Sequence, residues 1–215
     1  MAVAVRGAQR RGDGMKKIAF LFSGRGSLIG SVVEGIGRSS VPAEIALVIT
    51  NNKAFPAENG SLAGRFPVSR VLHSDFADRE SFEAEISRQL DANDIDLIVL
   101  GGFRRIFSPA FVDKYGSRTI NTHPSILPAF PGDGAQRRAL EAGVKVTGAT
   151  VHFINNEVDA GPIIDQGVVR IAPGMTEQAL KEAIIKVEEV IIADAVTNIL
   201  EDRIAVRDGI VRVVQ

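Results

Sequence analysis

Short apolar runs alternate along the chain with amphipathic segments. Three runs of strand length are apolar along most of their length: KKIAFLF at 16–22, EIALVIT at 44–50 and DLIVLG at 96–101. Such runs are typical of parallel strands that are buried on both faces. Phe82, Ile86 and Leu90 recur at intervals of four among charged residues, which predicts a helix over 78–93. The alternation predicts an α/β fold with an open, mostly parallel, twisted sheet and helices on both faces.

The rest of the chain continues this alternation and then adds strands of another kind. Helices are also predicted over 28–36, around 56–64, over 135–143 and over 176–200, and a short strand over 68–72. The segments 144–154 and 163–171 are rich in β-branched residues and are separated by turn residues, which predicts antiparallel strands in the C-terminal half. Asp208-Gly209 between two short apolar runs predicts a terminal hairpin.

Three polar or glycine-rich segments follow predicted strands. They are the turn SGRGS at 23–27, the segment 101–107 and the loop NTHPSILPAFPG at 121–132. Open α/β sheets bind ligands beyond the carboxyl ends of their strands, so we expect the three segments to meet at one edge. The turn at 23–27 precedes a helix, and its backbone N–H groups and the helix dipole favour an anion. A glycine turn required by geometry alone is the alternative.

Asn121 and His123 are two residues apart in a segment that Thr119 and Ile120 predict to be extended, so both side chains leave on the same face. Pro124 restricts the backbone of His123, and two further prolines stiffen the loop that follows. An amide and an imidazole held in one small volume are suited to catalysis. An isolated Asn-x-His motif is also typical of an ordinary strand end, and that alternative stays open on these residues alone.

Composition narrows the classes of function. The 215 residues carry a net charge of −1, which gives no reason to expect nucleic acid or an anionic membrane as a partner. The chain has no cysteine, and its three histidines, at 73, 123 and 152, lack the clustered spacing of a metal site. No run approaches the ~18 apolar residues that span a bilayer. We expect a cytoplasmic protein without a metal.

Several long motifs, in this order, resemble the glycinamide ribonucleotide formyltransferases of purine biosynthesis. They are SGRGS at 23–27, GGFRRIFSPAF at 101–111, NTHPSILPAFPG at 121–132, GVKVTGATVHFIN at 143–155 and DAGPIIDQ at 159–166. The resemblance implies a Rossmann-like formyltransferase fold. It also implies transfer of a formyl group from 10-formyltetrahydrofolate, as co-substrate, to the primary amine of glycinamide ribonucleotide. Asn121, His123 and Asp159 would form the catalytic trio, although Asp-x-Gly-Pro alone is more typical of a simple turn.

The resemblance also implies two substrate sites. The nucleotide phosphate would bind Gly24, Arg25, Gly26, Ser27 and Leu28, and the ribose hydroxyls would contact Glu188. The folate would bind Arg104, Arg105, Ile106 and Phe107, together with Ile154, Asn155, Asn156, Glu157, Val158 and Asp159. A solvated helix carboxylate and a surface ion pair are the alternatives for Glu188 and Arg105. Leu28 stands where the family commonly has asparagine, and Glu189 and Ala193 replace a histidine-plus-proline pattern.

The expected organisation is one domain after a short extension. Residues 1–14 carry three arginines among small residues and are predicted to be mobile, and 15–215 form the formyltransferase domain. Its part 15–115 would bind the nucleotide, and 116–215 would supply catalysis and folate binding. We expect a monomer or a homodimer.

Other functions fit less well. A formyltetrahydrofolate hydrolase shares the trio but carries an N-terminal regulatory domain, which 14 residues cannot hold. Formyl transfer to initiator tRNA would need a C-terminal domain and a basic surface. A non-catalytic folate or nucleotide carrier is the alternative from another class, whereas a dinucleotide-binding Gly-x-Gly-x-x-Gly motif fails at Ile29.

Overall fold

The computed structural model describes residues 14–56, 61–62 and 64–214. The strands in these ranges are β1 (Lys16–Phe22), β2 (Ala43–Thr50), β3 (Ser61–Leu62), β4 (Phe66–Pro67), β5 (Ser69–Arg70), β6 (Leu97–Leu100), β7 (Thr119–His123), β8 (Val146–Phe153), β9 (Ile163–Arg170), β10 (Ile204–Arg207) and β11 (Ile210–Val213). The α-helices are α1 (Ile29–Arg38), α2 (Arg79–Ala92), α3 (Pro109–Tyr115), α4 (Ala135–Glu141) and α5 (Glu177–Leu200), and short 3-10 helices lie at His73–Asp75 and Gly116–Arg118.

The main sheet has seven strands in the spatial order β5-β2-β1-β6-β7-β8-β9. The strands from β5 to β7 are parallel, whereas β8 and β9 are antiparallel to their neighbours. The predicted mostly parallel sheet with antiparallel strands in the C-terminal half is therefore confirmed. The terminal hairpin is also confirmed, because β10 pairs with β11 around Asp208-Gly209.

Side chains of the sheet are buried on both faces, which explains the continuous apolar runs. On one face α1 and α5 cover a cluster that includes Phe20 and Ile120. On the other face α2 and α3 cover a cluster that includes Leu21 and Leu100. Successive residues of a strand point to opposite faces, so Thr122 shares the face of Ile120. Asn121 and His123 lie on the opposite face, away from α5.

The long helices begin where the sequence predicts. Asp78 accepts a hydrogen bond from Ser81 N and caps α2, and Thr176 accepts one from Ala179 N and caps α5. These side chains satisfy backbone N–H groups that the first turn of a helix leaves unpaired. No helix in the described ranges is long and apolar enough to cross a membrane.

One predicted element is wrong where the structure describes it. In place of a helix around 56–64, Ser61–Leu62 pairs antiparallel with Phe66–Pro67. Residues 57–60 and 63 of that prediction lie outside the described residues, as do residues 1–13 of the predicted extension. The division of the domain into a nucleotide half and a catalytic half stays a prediction.

Candidate active site

The segments that follow β1, β6 and β7 lie at one edge of the sheet, because these strands are parallel neighbours. Backbone N of Ser23 donates to Gly102 O at 3.1 Å. The Ser23 hydroxyl accepts from Arg104 N at 2.7 Å. Asn52, at the end of β2, adds a hydrogen bond from its Nδ2 to Gly24 O at 3.0 Å. These bonds join the turn to the segment 101–107, and the pairing of Leu100 with Asn121 sets the end of β7 beside that segment, as expected.

His123 and Asp159 are in direct contact at this edge. His123 Nδ1 lies 3.1 Å from Asp159 Oδ2, and the two side chains are only 7% and 11% exposed. The second ring nitrogen, Nε2, lies 2.8 Å from the carbonyl oxygen of Phe130. The ring can donate both bonds at once only when both nitrogens carry a proton. The two acceptors therefore fix the plane of the imidazole.

The loop 121–132 also contacts Asp159. Its Oδ2 accepts a hydrogen bond from Gly132 N at 2.7 Å. Asp159 has φ of 53° and Phe130 has φ of 55°, which is the left-handed region that non-glycine residues seldom adopt. Strained residues of this kind persist where surrounding contacts impose them, often at functional sites. Here the two residues supply the two acceptors of the His123 ring.

The loop between β8 and β9 delivers Asp159. The Asn155 side chain braces it, because Nδ2 donates to Ala160 O at 3.1 Å and Oδ1 accepts from Glu157 N at 3.0 Å. At Gly161 an added Cβ would lie 1.7 Å from Phe153 O, so only glycine fits. The Asp-Ala-Gly-Pro motif is therefore a turn, as its alternative interpretation proposes, and this turn brings a carboxylate to His123.

A second histidine lies beside Asn121 and was not among the predicted site residues. His152 stands opposite Asn121 in the β7–β8 pairing, with Asn121 Nδ2 at 3.3 Å from His152 Nε2. His152 Nδ1 lies 2.8 Å from Phe153 O and donates there, which leaves Nε2 to accept from the amide. Burial lowers the pKa of His152, while the bond to Phe153 and the charge of Asp159 act in the other direction. A neutral His152 therefore fixes the orientation of the Asn121 amide.

Asn121, His123 and Asp159 offer an amide donor, an imidazole and a carboxylate, and His152 orients the amide. Amide and imidazole N–H groups can stabilise an oxyanion, and a carboxylate can accept a proton directly or through a water. Within the described ranges, no three histidine, aspartate or glutamate side chains form a group that could hold a metal ion. The arrangement suits acyl-type transfer in which charge develops on a carbonyl oxygen.

The predicted phosphate turn has an open side and a buried side. Its exposed members are Gly24, Arg25 and Ser27. Gly26 has φ of 70°, a conformation that favours glycine, and an added Cβ would also lie 2.7 Å from the end of the Leu62 side chain. Leu28 is 6% exposed and belongs to the core. At Leu28, therefore, only the backbone N–H is available to an anion.

Glu188 precedes, along α5, the close contact that this helix makes with α1. The helices α1 and α5 run in the same direction, since Thr197 Oγ1 donates to Gly35 O at 3.0 Å and Ser40 N donates to Glu201 Oε1 at 2.7 Å. An added Cβ at Gly35 would also lie 2.6 Å from Ala193 O. From this contact, Glu188 and the first turn of α1 both lie towards the N-terminal ends of their helices, which is the end of α1 that the phosphate turn precedes.

The Glu188 carboxyl group is buried and has no cationic partner among the described residues. It is 8% exposed, and burial raises its pKa to about 7; a hydrogen bond with Thr122 lowers the pKa and the charge of Glu189 raises it. Thr122 lies between Asn121 and His123 on β7. The alternative of a solvated helix carboxylate is therefore wrong for Glu188.

The two predicted folate segments are neighbours. Ile154 packs on the core cluster that contains Phe107, and the Phe107 ring stacks on Phe111 with centroids 3.9 Å apart. Phe107 is 8% exposed, so its side chain serves the core. By contrast, Ile106 and Val158 are 65% and 50% exposed. One apolar side chain from each segment is thus open to a ligand.

The remaining predicted folate residues are exposed or braced. Arg104, Arg105, Asn156 and Glu157 are exposed. Arg105 Nη2 lies 3.0 Å and 2.7 Å from the two ring nitrogens of His73. This contact holds the guanidinium beside the segment 101–107, near the edge of the sheet.

Known proteins share this sequence and this fold. A model of the family described as formyl transferase matches residues 16–196. The chain belongs to the formyl transferase family. This formyl transferase is 37% identical over 161 residues to the phosphoribosylglycinamide formyltransferase of Escherichia coli (strain K12), covering 74% of this chain and 76% of that protein. The resemblance found in the sequence is therefore confirmed.

A second relative is much longer. The formyl transferase is 40% identical over 183 residues to the trifunctional purine biosynthetic protein adenosine-3 of Drosophila melanogaster, which covers 84% of this chain. The match spans 13% of the length of that relative.

Solved structures confirm the formyltransferase fold. Glycinamide ribonucleotide transformylase 1 from Symbiobacterium toebii superposes with a TM-score of 0.87 at 33% identity, covering 95% of this chain and 96% of that one. A formyltetrahydrofolate deformylase from Pseudomonas syringae superposes with a TM-score of 0.83 at 29% identity, covering 94% of this chain and 67% of that one.

Proposed function

We propose that this formyl transferase moves the formyl group of 10-formyltetrahydrofolate to the primary amine of glycinamide ribonucleotide, giving formylglycinamide ribonucleotide and tetrahydrofolate in purine biosynthesis. The observation that carries the proposal is the 3.1 Å contact between His123 and Asp159 beside the Asn121 amide. The names of the relatives from Escherichia coli and Drosophila melanogaster support the acceptor and the pathway.

The reaction exchanges one C–N bond of the formyl carbon for another. The amine nitrogen attacks the formyl carbon, and negative charge develops on the carbonyl oxygen. Asn121 Nδ2–H and His123 Nε2–H donate to that oxygen. Because His123 Nε2 donates to Phe130 O in the free protein, the substrate oxygen replaces this carbonyl as acceptor.

Two proton transfers complete the reaction. The attacking nitrogen loses a proton to Asp159, directly or through a water, and the bond to the folate nitrogen breaks as that nitrogen takes a proton from His123. The proton count balances, because Asp159 gains a proton and His123 Nε2 loses one, and a water can then carry the proton from Asp159 back to Nε2. The reaction needs neither a covalent enzyme intermediate nor an oxidant.

The substrates lie on either side of the trio in this proposal. The nucleotide phosphate binds the backbone N–H groups of 24–28 and the guanidinium of Arg25, and the ribose hydroxyls bind Glu188. The pterin ring is read by the backbone of 154–159 and packs against Ile106 and Val158. Arg105 pairs with the glutamate tail of the folate, and Arg104 lies beside it.

An assay with labelled 10-formyltetrahydrofolate and a panel of amine acceptors tests the proposal. We expect labelled product with glycinamide ribonucleotide, and a much slower reaction with the same nucleoside lacking its phosphate. Folate turnover at the same rate without any acceptor would instead identify a formyltetrahydrofolate hydrolase, which uses water. Ligand binding without turnover would identify a carrier. The cytoplasmic location and the monomeric or dimeric state stay predictions.

A further inference from the structure

A buried hydroxyl group on β8, outside the catalytic trio, holds the loop that follows His123. Thr150 is 0% exposed and stands opposite His123 in the β7–β8 pairing. Its Oγ1 donates to Ser125 O at 2.7 Å and accepts from Leu127 N at 3.0 Å. One hydroxyl therefore binds the backbone on both sides of the first turn of the loop.

Gln166, on the neighbouring strand β9, also binds the Thr150 hydroxyl. It pairs with Thr150 across β8 and β9, and its Nε2 donates to Thr150 Oγ1 at 3.0 Å. The same nitrogen is 2.8 Å from Leu127 O. Thr150 therefore binds the backbone N–H of Leu127, and Gln166 binds its backbone C=O.

The turn is linked to the imidazole through the second half of the loop. Ser125 Oγ donates to the carbonyl of Ala129 and lies 3.4 Å from Phe130 O. Phe130 O in turn accepts from His123 Nε2 at 2.8 Å. The φ of 55° at Phe130 is an unfavourable conformation for a bulky residue, so neighbouring contacts must impose it.

We propose that Thr150 and Gln166 are positioning residues for His123. By fixing the turn at 125–127, they set the direction of the Phe130 carbonyl and thereby the plane of the imidazole that faces Asp159. Neither side chain needs to touch a substrate. The kinetic part of this inference rests on the proposed function, and its structural part does not.

Replacing Thr150 by valine keeps the shape and removes the hydroxyl. We expect kcat for formyl transfer to fall by about 10- to 100-fold, with KM for both substrates within about threefold of the unaltered protein, because misplacing a catalytic group affects the transition state more than binding. Thr150→Ser keeps the hydroxyl and should restore kcat to within about threefold. The measurement is steady-state kinetics with each substrate varied.

Thr147→Val is the matched control. Thr147 lies on the same strand and is 2% exposed, and its hydroxyl oxygen has no hydrogen-bond partner among the described residues. We expect this variant to keep the kcat of the unaltered protein. An equal loss of kcat in Thr147→Val and Thr150→Val, or no recovery in Thr150→Ser, would overturn the positioning role.

Hydrogen exchange at the Leu127 N–H and the NMR signal of the His123 Nε2–H give a readout that does not depend on activity. We expect both protons to exchange faster in Thr150→Val and to be unchanged in Thr147→Val. If the unaltered protein transfers no formyl group, the proposed function fails, and this exchange experiment still decides the positioning role. Unchanged exchange together with unchanged kcat in a folded Thr150→Val would contradict the inference.

Gln166→Leu tests the positioning role if Thr150→Val does not fold. It removes one donor and leaves the Thr150 hydroxyl in place, so we expect a smaller fall in kcat, of about 3- to 10-fold, and faster exchange at Leu127. A kcat and an exchange rate equal to those of the unaltered protein would then overturn the proposal.

Discussion

Replacing Asp159 by asparagine is expected to lower kcat for formyl transfer by about 10²- to 10⁴-fold, the usual contribution of a positioned acid or base. Asparagine has the same size, and its oxygen can still accept the hydrogen bond that Gly132 N donates to Asp159 at 2.7 Å. It carries no charge, however, and cannot take a proton from the amine. It also cannot stabilise a charged His123 ring at 3.1 Å. Steady-state kinetics with both substrates saturating measure the loss.

Asp133→Asn is the control for this change. Asp133 is an exposed carboxylate in the same loop as Gly132, and an exposed carboxylate away from the reacting atoms should leave kcat within about twofold. If Asp159→Asn retained more than about a third of kcat, or if both variants lost activity equally, Asp159 could not be the proton acceptor.

Replacing Glu188 by glutamine is expected to stabilise the protein in a pH-dependent way. Burial raises the pKa of Glu188 from 4.5 to about 7, so the folded state keeps this proton to a higher pH than the unfolded state does. The favourable contribution is fully present below the unfolded value and is lost as the pH rises towards the folded value. The glutamine variant should therefore gain roughly 2 to 3 kcal/mol more at pH 8 than at pH 5.

The same substitution should weaken nucleotide binding. If Glu188 accepts hydrogen bonds from the ribose hydroxyls, the variant should have a higher KM for glycinamide ribonucleotide and an unchanged KM for the folate. Denaturant unfolding at several pH values and the two KM values measure these effects. Glu189→Gln, at the exposed neighbour, removes a charge that raises the pKa of Glu188, so it should reduce the pH dependence of the unfolding free energy slightly and leave both KM values unchanged. If the unfolding free energy had the same pH dependence in Glu188→Gln and in the unaltered protein, the raised pKa of Glu188 would be contradicted.

The fold follows from the sequence where burial dictates the pattern. β1 has the predicted bounds, Lys16–Phe22, because a strand covered on both faces must be apolar throughout. Phe82, Ile86 and Leu90 identify α2, because residues four apart lie on the same face of a helix and that face is buried. The sequence also contains a typical helix start at Ser108 and Pro109. The helix α3 that begins there was nevertheless not predicted.

The prediction around 56–64 failed because a long-range contact decides that segment. Leu62 is 6% exposed, packs in the core beside β1 and closes over Gly26. Local residue preferences between Pro56 and Gly64 carry no information about this contact, and the segment 61–62 forms a strand instead.

The candidate site shows a similar limit. The spacing of Asn121 and His123 predicts their common face, but Asp159 entered only through the family resemblance, since a turn motif does not reveal where its carboxylate points. His152 was missed because its role depends on the pairing register that sets it opposite Asn121. The spacing of the histidines along the chain argued against a cluster, whereas antiparallel pairing brings His152 within 3.8 Å of Asp159.

The most direct test of the proposed reaction centre is a crystal structure with glycinamide ribonucleotide and an unreactive analogue of the formyl folate. We expect the amine nitrogen and the carbon that stands for the formyl group to lie about 3 to 3.5 Å apart. The analogue's oxygen should be within hydrogen-bond distance of Asn121 and His123, and the amine should reach Asp159 directly or through one water. A phosphate bound away from the turn 24–28, or reacting atoms out of reach of His123, would contradict the proposal.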